Sequence, residues 1–231
     1  MYKTYDQALA FAQTHCDELA ALSSRATKIA IAPSFVCLEA LNKIFCGTSI
    51  SLAAQNCATH ESGAYTGEVD AASLAQVGCA LVIVGHSERR QKFGETNEMV
   101  AAKVKMILRH TMTPIICIGE TQKDFDDGRT LEALKAQLAD ILPILKNTQK
   151  EFCFAYEPVW AIGTGKIPAI DELTSIFEWL FSQINSENCT LLYGGSVDEN
   201  NAANLLKVPR IGGLLIGGAS CNFQTLKKIV S

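Results

Sequence analysis

No stretch of this 231-residue sequence approaches the roughly 18 consecutive apolar residues that a membrane-spanning helix needs, and no signal-peptide pattern opens it. It also lacks positive charge: 20 Lys and Arg stand against 24 Asp and Glu, a formal net charge of −4. A nucleic-acid or anionic-membrane surface calls for clustered basic residues, so neither is expected as a partner. The nine cysteines form no CxxC pair, and Cys79, Cys117, Cys153 and Cys189 lie inside apolar runs, where a thiol serves as a small buried hydrophobe. An odd count without framework spacing indicates reduced thiols, and the expectation is a soluble, cytoplasmic protein. No metal-ligand spacing stands out. No Ser/Gly/Pro linker or charge block divides the chain, so residues 1–231 are taken as a single domain.

What is present is an alternation of two patterns. Seven short runs are almost continuously apolar, which is the signature of strands buried on both faces. They are KIAIAP from Lys28, SISLAAQ from Ser49, ALVIVG from Ala80, TPIICIG from Thr113, EFCFAYE from Glu151, CTLLYGG from Cys189 and GGLLIGG from Gly212. Helical periodicity occupies Phe35 to Phe45, Glu95 to His110, Arg129 to Lys146, Asp171 to Ile184 and Asp198 to Leu206, with a short last helix from Asn222. At the other end, Thr4 and Gln7 have capping-box spacing, and Tyr5, Leu9, Ala12, Cys16 and Leu19 recur at helical intervals. The chain therefore opens on a helix without a strand before it.

This is an α/β pattern, and it fits either an open doubly wound sheet or a closed barrel. Polar and glycine residues gather after nearly every strand, as QN at 55–56, GHSE at 85–88, GE at 119–120, EP at 157–158, YGGS at 193–196 and IGG at 216–218. In a barrel those ends ring one site, whereas an open sheet uses only the loops at its switch point. The barrel is favoured, one strand short of eight.

Four stretches carry chemistry. In VIVGHSERR, His86 and Glu88 sit at a strand mouth, where a histidine can act as electrophile or general acid and the carboxylate can orient it. In AYEPVWAIGTGK, Glu157 ends a strand as a candidate general base. Pro158 stiffens the chain after it, Trp160 to Ile162 form an apolar tip, and Gly163 and Gly165 supply a flexible end. Such a segment can close over a ligand and exclude water. In YGGSV and LLIGGAS, Ser196 and the pair Gly217 and Gly218 can turn N–H and O–H donors toward a phosphate.

Taken together, AAQN, GAYTGE, VGHSERR, CIGE, AYEPVWAIGTGK, LLYGGSV and LLIGGAS resemble, in order and spacing, the triosephosphate isomerase family from about Lys28 onward. The resemblance implies a (β/α)8 TIM barrel and interconversion of dihydroxyacetone phosphate and D-glyceraldehyde 3-phosphate, without a cofactor. It implies that Glu157 is the base, that His86 polarises the carbonyl with Glu88 supporting it, and that Gly163, Ser196, Gly217 and Gly218 hold the phosphate. The loop around Thr66 is implied to reach a second subunit in a homodimer or larger assembly. Family members begin with a strand ending in Asn-x-Lys, and here Met1-Tyr2-Lys3 aligns with the residues just after that lysine. The expected fold is thus a TIM barrel with the first β-strand missing, the chain beginning at the first helix. Lost burial at ~1.5–3 kcal/mol per apolar side chain and two unpaired strand edges are expected to distort the gap and favour association. The absent lysine is expected to leave activity strongly reduced or absent, unless a start upstream of Met1 supplies it or the Met1 α-amino group substitutes. A non-catalytic phosphate-binding protein on the same fold is the alternative.

Overall fold

The computed structural model describes residues 2–23, 27–146 and 148–230; the Met1 amine lies outside them. All seven expected strands form. They are β1 (Ala30–Ile31), β2 (Ser51–Ala54), β3 (Cys79–Val84), β4 (Thr113–Ile118), β5 (Phe152–Tyr156), β6 (Cys189–Tyr193) and β7 (Ile211–Leu214). Every neighbouring pair is parallel, and the spatial order is the sequence order, β1 to β7. A doubly wound sheet must reverse its strand order to cover both faces with helices. Here the order never reverses, so each crossover advances the sheet in the same sense and it curls as a barrel does.

The two faces of that sheet explain the continuous apolar runs. Alternate side chains of β3 to β5 divide between two clusters. Val82, Val84, Ile116, Ile118, Phe152, Phe154 and Tyr156 join the large core under the helices, whereas Ile83, Ile115, Cys117 and Ala155 form a small inner cluster with half-buried Leu81, Cys153, Leu192 and Leu215. Bulky aromatic residues thus face outward to the helices, and smaller ones fill the narrow inside.

The helices are α1 (Tyr5–Leu22), α2 (Leu38–Phe45), α3 (Ala71–Gln76), α4 (Ser87–Phe93), α5 (Asn97–Arg109), α6 (Gln122–Asp126), α7 (Thr130–Leu138), α8 (Leu142–Leu145), α9 (Ile170–Ile184), α10 (Ala202–Leu205) and α11 (Phe223–Val230). The capping box of α1 is present, with Thr4 N–H donating to Gln7 Oε1 at 3.0 Å and Gln7 N–H to Thr4 Oγ1 at 3.4 Å. Its buried stripe is Ala8, Ala12 and Leu19, while Tyr5 in the first turn is exposed. The helix is fastened to the last one: His15 stacks on Phe223 at 3.9 Å, and Lys227 pairs with Glu18 at 2.8 Å.

Some elements differ from the pattern. The helix expected over 129–146 is two helices, because Pro143 has no N–H to donate and its ring clashes with the turn before it; the chain restarts with that proline in the first turn of α8. The helix expected from Asp198 starts at Ala202. Asp198 Oδ1 instead accepts the N–H groups of Asn200 and Asn201 at 2.7 and 3.0 Å, a local turn that competes with the helix. Helices α3, α4 and α6 are too short for periodicity to reveal. Strand β1 keeps only two ladder residues of the KIAIAP run. It and β7 lie at the two ends of the described sheet, and Ile31, Ala32, Leu214 and Leu215 near those edges remain partly exposed.

A buried ionic cluster ties together the strand ends beneath the site. Lys103 on α5 is 2% exposed and donates to Glu95 Oε2 at 2.6 Å and Asn56 Oδ1 at 2.8 Å. Glu95 also accepts Arg89 Nε at 2.6 Å and the Gly85 N–H at 2.9 Å. Burial opposes the Glu95 charge, but the hydrogen bonds from Lys103, Arg89 and Gly85 outweigh it and hold the carboxyl below the usual range. Breaking a buried ion pair leaves an uncompensated charge and costs about 3–5 kcal/mol. Lys103→Met is therefore expected to lower unfolding free energy by about that amount, read as a shift in the urea midpoint at unchanged slope.

Candidate active site

Glu157 is the first residue after β5, and its N–H continues the ladder by donating to Ile118 O at 2.7 Å. Inward alternation and the close packing of β4 and β6 bury it to 2% exposure. Two glycines make this possible. A Cβ on Gly119 would lie 1.8 Å from Glu157 O, and one on Gly194 would lie 2.9 Å from Glu157 Cγ. No larger residue fits at either strand end without moving the carboxylate.

His86 faces Glu157 from the end of β3. It is the N-cap of α4, and its Nδ1 accepts the Glu88 backbone N–H at 3.2 Å. An imidazole nitrogen that accepts a hydrogen bond carries no proton, so the proton resides on Nε2. Nε2 lies 3.2 Å from Glu157 Oε1, while the Ser87 N–H donates to Glu157 Oε2 at 3.2 Å. Both carboxylate oxygens are thus held from one turn. The Glu88 side chain points elsewhere: its carboxylate is 4.0 Å from His86 Nδ1 and 3.4 Å from Lys92 Nζ, and it is largely exposed. Its closest engagement with His86 is through its backbone.

Burial is the dominant influence on Glu157 and raises its pKa; His86, the Ser87 N–H, the Cys117 thiol and Arg90 oppose that rise without cancelling it. Full burial, reinforced by the neighbouring Glu157, drives the Cys117 thiol well above its ordinary value, so it stays a neutral donor to the carboxylate. A carboxylate kept partly desolvated is a stronger base than one in water. Glu157, Ser87, Arg90, Gly119 and Gln137 border an adjoining cavity of about 70 Å³.

The segment after Glu157 is pinned at both ends. Residues Val159–Ala161 form a single 3-10 turn. Trp160 Nε1 donates to Glu120 Oε1 at 2.7 Å, and its ring lies 4.3 Å from that of Phe125. Glu120 is 1% exposed and also accepts Tyr156 OH at 3.1 Å; burial raises its pKa, with the bonds from Trp160 and Tyr156 pulling the other way. Farther along, Ser196 Oγ donates to Ala161 O at 2.6 Å and accepts the Gly165 N–H at 3.1 Å. Gly163 and Gly165 have φ of 69° and 76°, a backbone that glycine adopts without strain. Ser196 therefore latches this segment to the loop after β6, and Gly163 sits between the two latched residues. Gly217 and Gly218 lie beyond β7 at the start of another 3-10 turn, both exposed, with the Tyr2 hydroxyl 3.7 Å from where a Gly218 Cβ would be.

The structure thus brings His86 and Glu157 into contact and joins Ser196 to the segment containing Gly163. Sequence reading gave no site role to Cys117, which it read as a small buried hydrophobe, or to Arg90, Glu120 or Gln137. CIGE and VGHSERR contain the first three, but only as motif text; nothing local tells which side chains turn inward. Among the described residues no cluster of His, Cys, Asp or Glu is arranged to hold a metal ion, and no helix is long and apolar enough to cross a membrane.

The family model described as triosephosphate isomerase matches residues 1–231. The chain is 45% identical over 210 residues to the triosephosphate isomerase of Coxiella burnetii (strain Dugway 5J108-111), covering 87% of this chain and 82% of that protein. It is 42% identical over 240 aligned positions to that of Citrifermentans bemidjiense and 39% identical over 231 to that of Trichodesmium erythraeum, in each case covering all of this chain and 94% and 95% of the relative.

A carboxyl whose folded pKa is raised favours folding below its unfolded value of ~4.3, and that contribution is lost as pH climbs through the folded pKa. As pH rises, the raised pKa of the buried Glu157 therefore works against stability. Glu157→Gln, which keeps the shape and can still accept from His86, is expected to raise the melting temperature at pH 8, with the gain shrinking as pH falls toward 4. An equal gain at both pH values would contradict the assigned burial cost.

Proposed function

Because the chain belongs to the triosephosphate isomerase family, we propose that it interconverts dihydroxyacetone phosphate and D-glyceraldehyde 3-phosphate with Glu157 as the general base, and that its 231 residues do so as one domain. The observation that carries this reading is the contact of His86 Nε2 with Glu157 Oε1 at 3.2 Å. The isomerisation requires a proton to leave the carbon next to a carbonyl while charge builds on the carbonyl oxygen. A buried carboxylate supplies the base, and the adjacent Nε2–H supplies the donor. General-base catalysis of this kind contributes ~10²–10⁴ in rate. Glu88 supports the histidine through its backbone N–H. The backbones of Gly163, Gly217 and Gly218, with Ser196, are the phosphate donors in this proposal. Residues 158–168 form the lid, latched by Ser196 when closed.

Among the described residues, the lysine that the resemblance implies has no counterpart at this site. Lys3 Nζ lies over the Phe11 ring at 4.7 Å, which engages it with α1 and not with the site. A preorganised cation or donor at a developing oxyanion is worth ~10²–10³, and the Asn-x-Lys pattern of the family is not among these residues. The 231-residue chain is accordingly proposed to turn over slowly. Association through the loop around Thr66 completes the reading, in the cytoplasm and with no cofactor. That loop presents exposed Tyr65 stacked on His60 at 4.1 Å, an aromatic pair better suited to a neighbouring protein surface than to water.

Incubation with dihydroxyacetone phosphate in D2O, followed by NMR, tests the chemistry. Deuterium is expected to enter the substrate slowly, to fall by ~10² or more in Glu157→Gln, and to accelerate ~10²–10³-fold when a strand ending in Asn-x-Lys is fused ahead of residue 1. Phosphate binding without exchange in either form would instead establish the non-catalytic alternative. For assembly, Thr66→Glu is expected to shift sedimentation toward the monomer.

A further inference from the structure

Between Ile118 and Glu120, β4 changes partners. Its last register pair with β3 is Ile116 opposite Val84, after which β3 turns off at Gly85 toward His86. On the other side the ladder with β5 runs on, with Glu157 N–H donating to Ile118 O at 2.7 Å and Val159 N–H to Glu120 O at 3.1 Å. Successive peptide groups of a strand point to opposite sides, so the Gly119 N–H and C=O face the place where β3 has gone. Gln137, reaching across from α7, meets both. Its Oε1 accepts the Gly119 N–H at 2.9 Å, and its Nε2 donates to Gly119 O at 2.9 Å. A primary amide carries donor and acceptor side by side, and here it stands in for the edge of the departed strand.

We infer that Gln137 is a positioning residue for Glu157, acting through the Gly119 peptide. Gly119 packs directly on the Glu157 backbone, since a Cβ there would lie 1.8 Å from Glu157 O and 3.4 Å from its Cα. Any displacement of Gly119 passes to the carboxylate. The cavity of about 70 Å³ bordered by Gly119, Gln137, Thr121 and Glu157 gives the peptide room to move once the pin is released. Packing alone does not duplicate what the two hydrogen bonds do. Gln137 spends its amide on Gly119 and not on the Glu157 carboxylate, so its effect falls on the placement of the base. A misplacement on the order of 1 Å costs as much as 10²-fold in a proton transfer.

This inference rests on Glu157 being the base, so the test has two readouts on the full chain. One is deuterium entry into dihydroxyacetone phosphate, alongside the affinity for inorganic phosphate. The other is the titration midpoint of the Glu157 carboxyl by 13C NMR, assigned by its loss in Glu157→Gln. Gln137→Met keeps the bulk and removes both hydrogen bonds. It is expected to slow exchange ~10-fold or more with phosphate affinity held within about twofold, and to move the Glu157 midpoint by about half a pH unit or more. Gln137→Glu keeps the acceptor and loses the donor when ionised. Its exchange rate relative to the parent is expected to recover as pH falls and the donor returns, and it serves as the second variant if the methionine form does not fold. An unmoved Glu157 midpoint, or loss of phosphate affinity in step with exchange, overturns the assignment. If the parent shows no exchange, the isomerase reading fails, while the carboxyl midpoint in Gln137→Met still decides the role of Gln137.

Discussion

A carboxylate can be both buried and basic only if its neighbours hold it without neutralising it, and that constraint shapes the whole upper end of this sheet. Glu157 is offered the Ser87 N–H and the His86 Nε2–H, one to each oxygen, at 3.2 Å. Its nearest thiol, Cys117, stays protonated under the same burial. The nearby guanidinium of Arg90 is occupied elsewhere: Nε donates to Gly85 O at 2.8 Å, one terminal nitrogen to Asn97 Oδ1 at 2.8 Å and the other to Cys117 O at 3.4 Å. A salt bridge from Arg90 would lower the pKa of Glu157 further than its charge at a distance does, and its donors are spent on other acceptors instead.

The surrounding charges are arranged so that this one carboxylate is the exception. Glu95, equally hidden, is met by Lys103 and Arg89 and held ionised. It fixes the strand end that carries His86 by accepting the Gly85 N–H. Glu120 receives only neutral donors, Trp160 and Tyr156, and its pKa is raised. Each of the three glutamates thus has a different set of partners: Glu95 anchors a strand end through two cations, Glu120 receives the tryptophan of the segment after β5, and Glu157 meets His86 and the Ser87 N–H. The segment after Glu157 is joined to the barrel at Glu120 on one side, through Trp160, and at Ser196 on the other, through Ala161.

Much of this was legible from the residue order. Strands buried on both faces leave continuous apolar runs, so all seven were visible, as were the glycine and polar residues beyond their ends. The glutamate after EFCFAY and the histidine after ALVIVG stood out because a charged or titratable residue ending an apolar run has few structural reasons to be there. Short helices were invisible: α4 has seven residues, too few for a period, and its cap is the histidine that chemistry had already claimed. Gln137 was equally unmarked, since a glutamine on an amphipathic helix looks like any solvated residue until the strand it faces loses its partner.

Residue order alone determines the class of fold, the number of strands and the types of group that reach their ends, because alternation and burial are properties of neighbours along the chain. Distances between those groups belong to another level. His86 and Glu157 are separated by 71 positions, Gln137 and Gly119 by 18. They meet because parallel strands advance in one sense around the curl and because Gly119 and Gly194 allow backbones to approach where any side chain would collide. The orientation of each hydrogen bond, the proton position on the imidazole and the unequal treatment of three buried glutamates come from that packing, since electrostatic interaction depends on separation in space and on exclusion of water, neither of which is written in sequence distance.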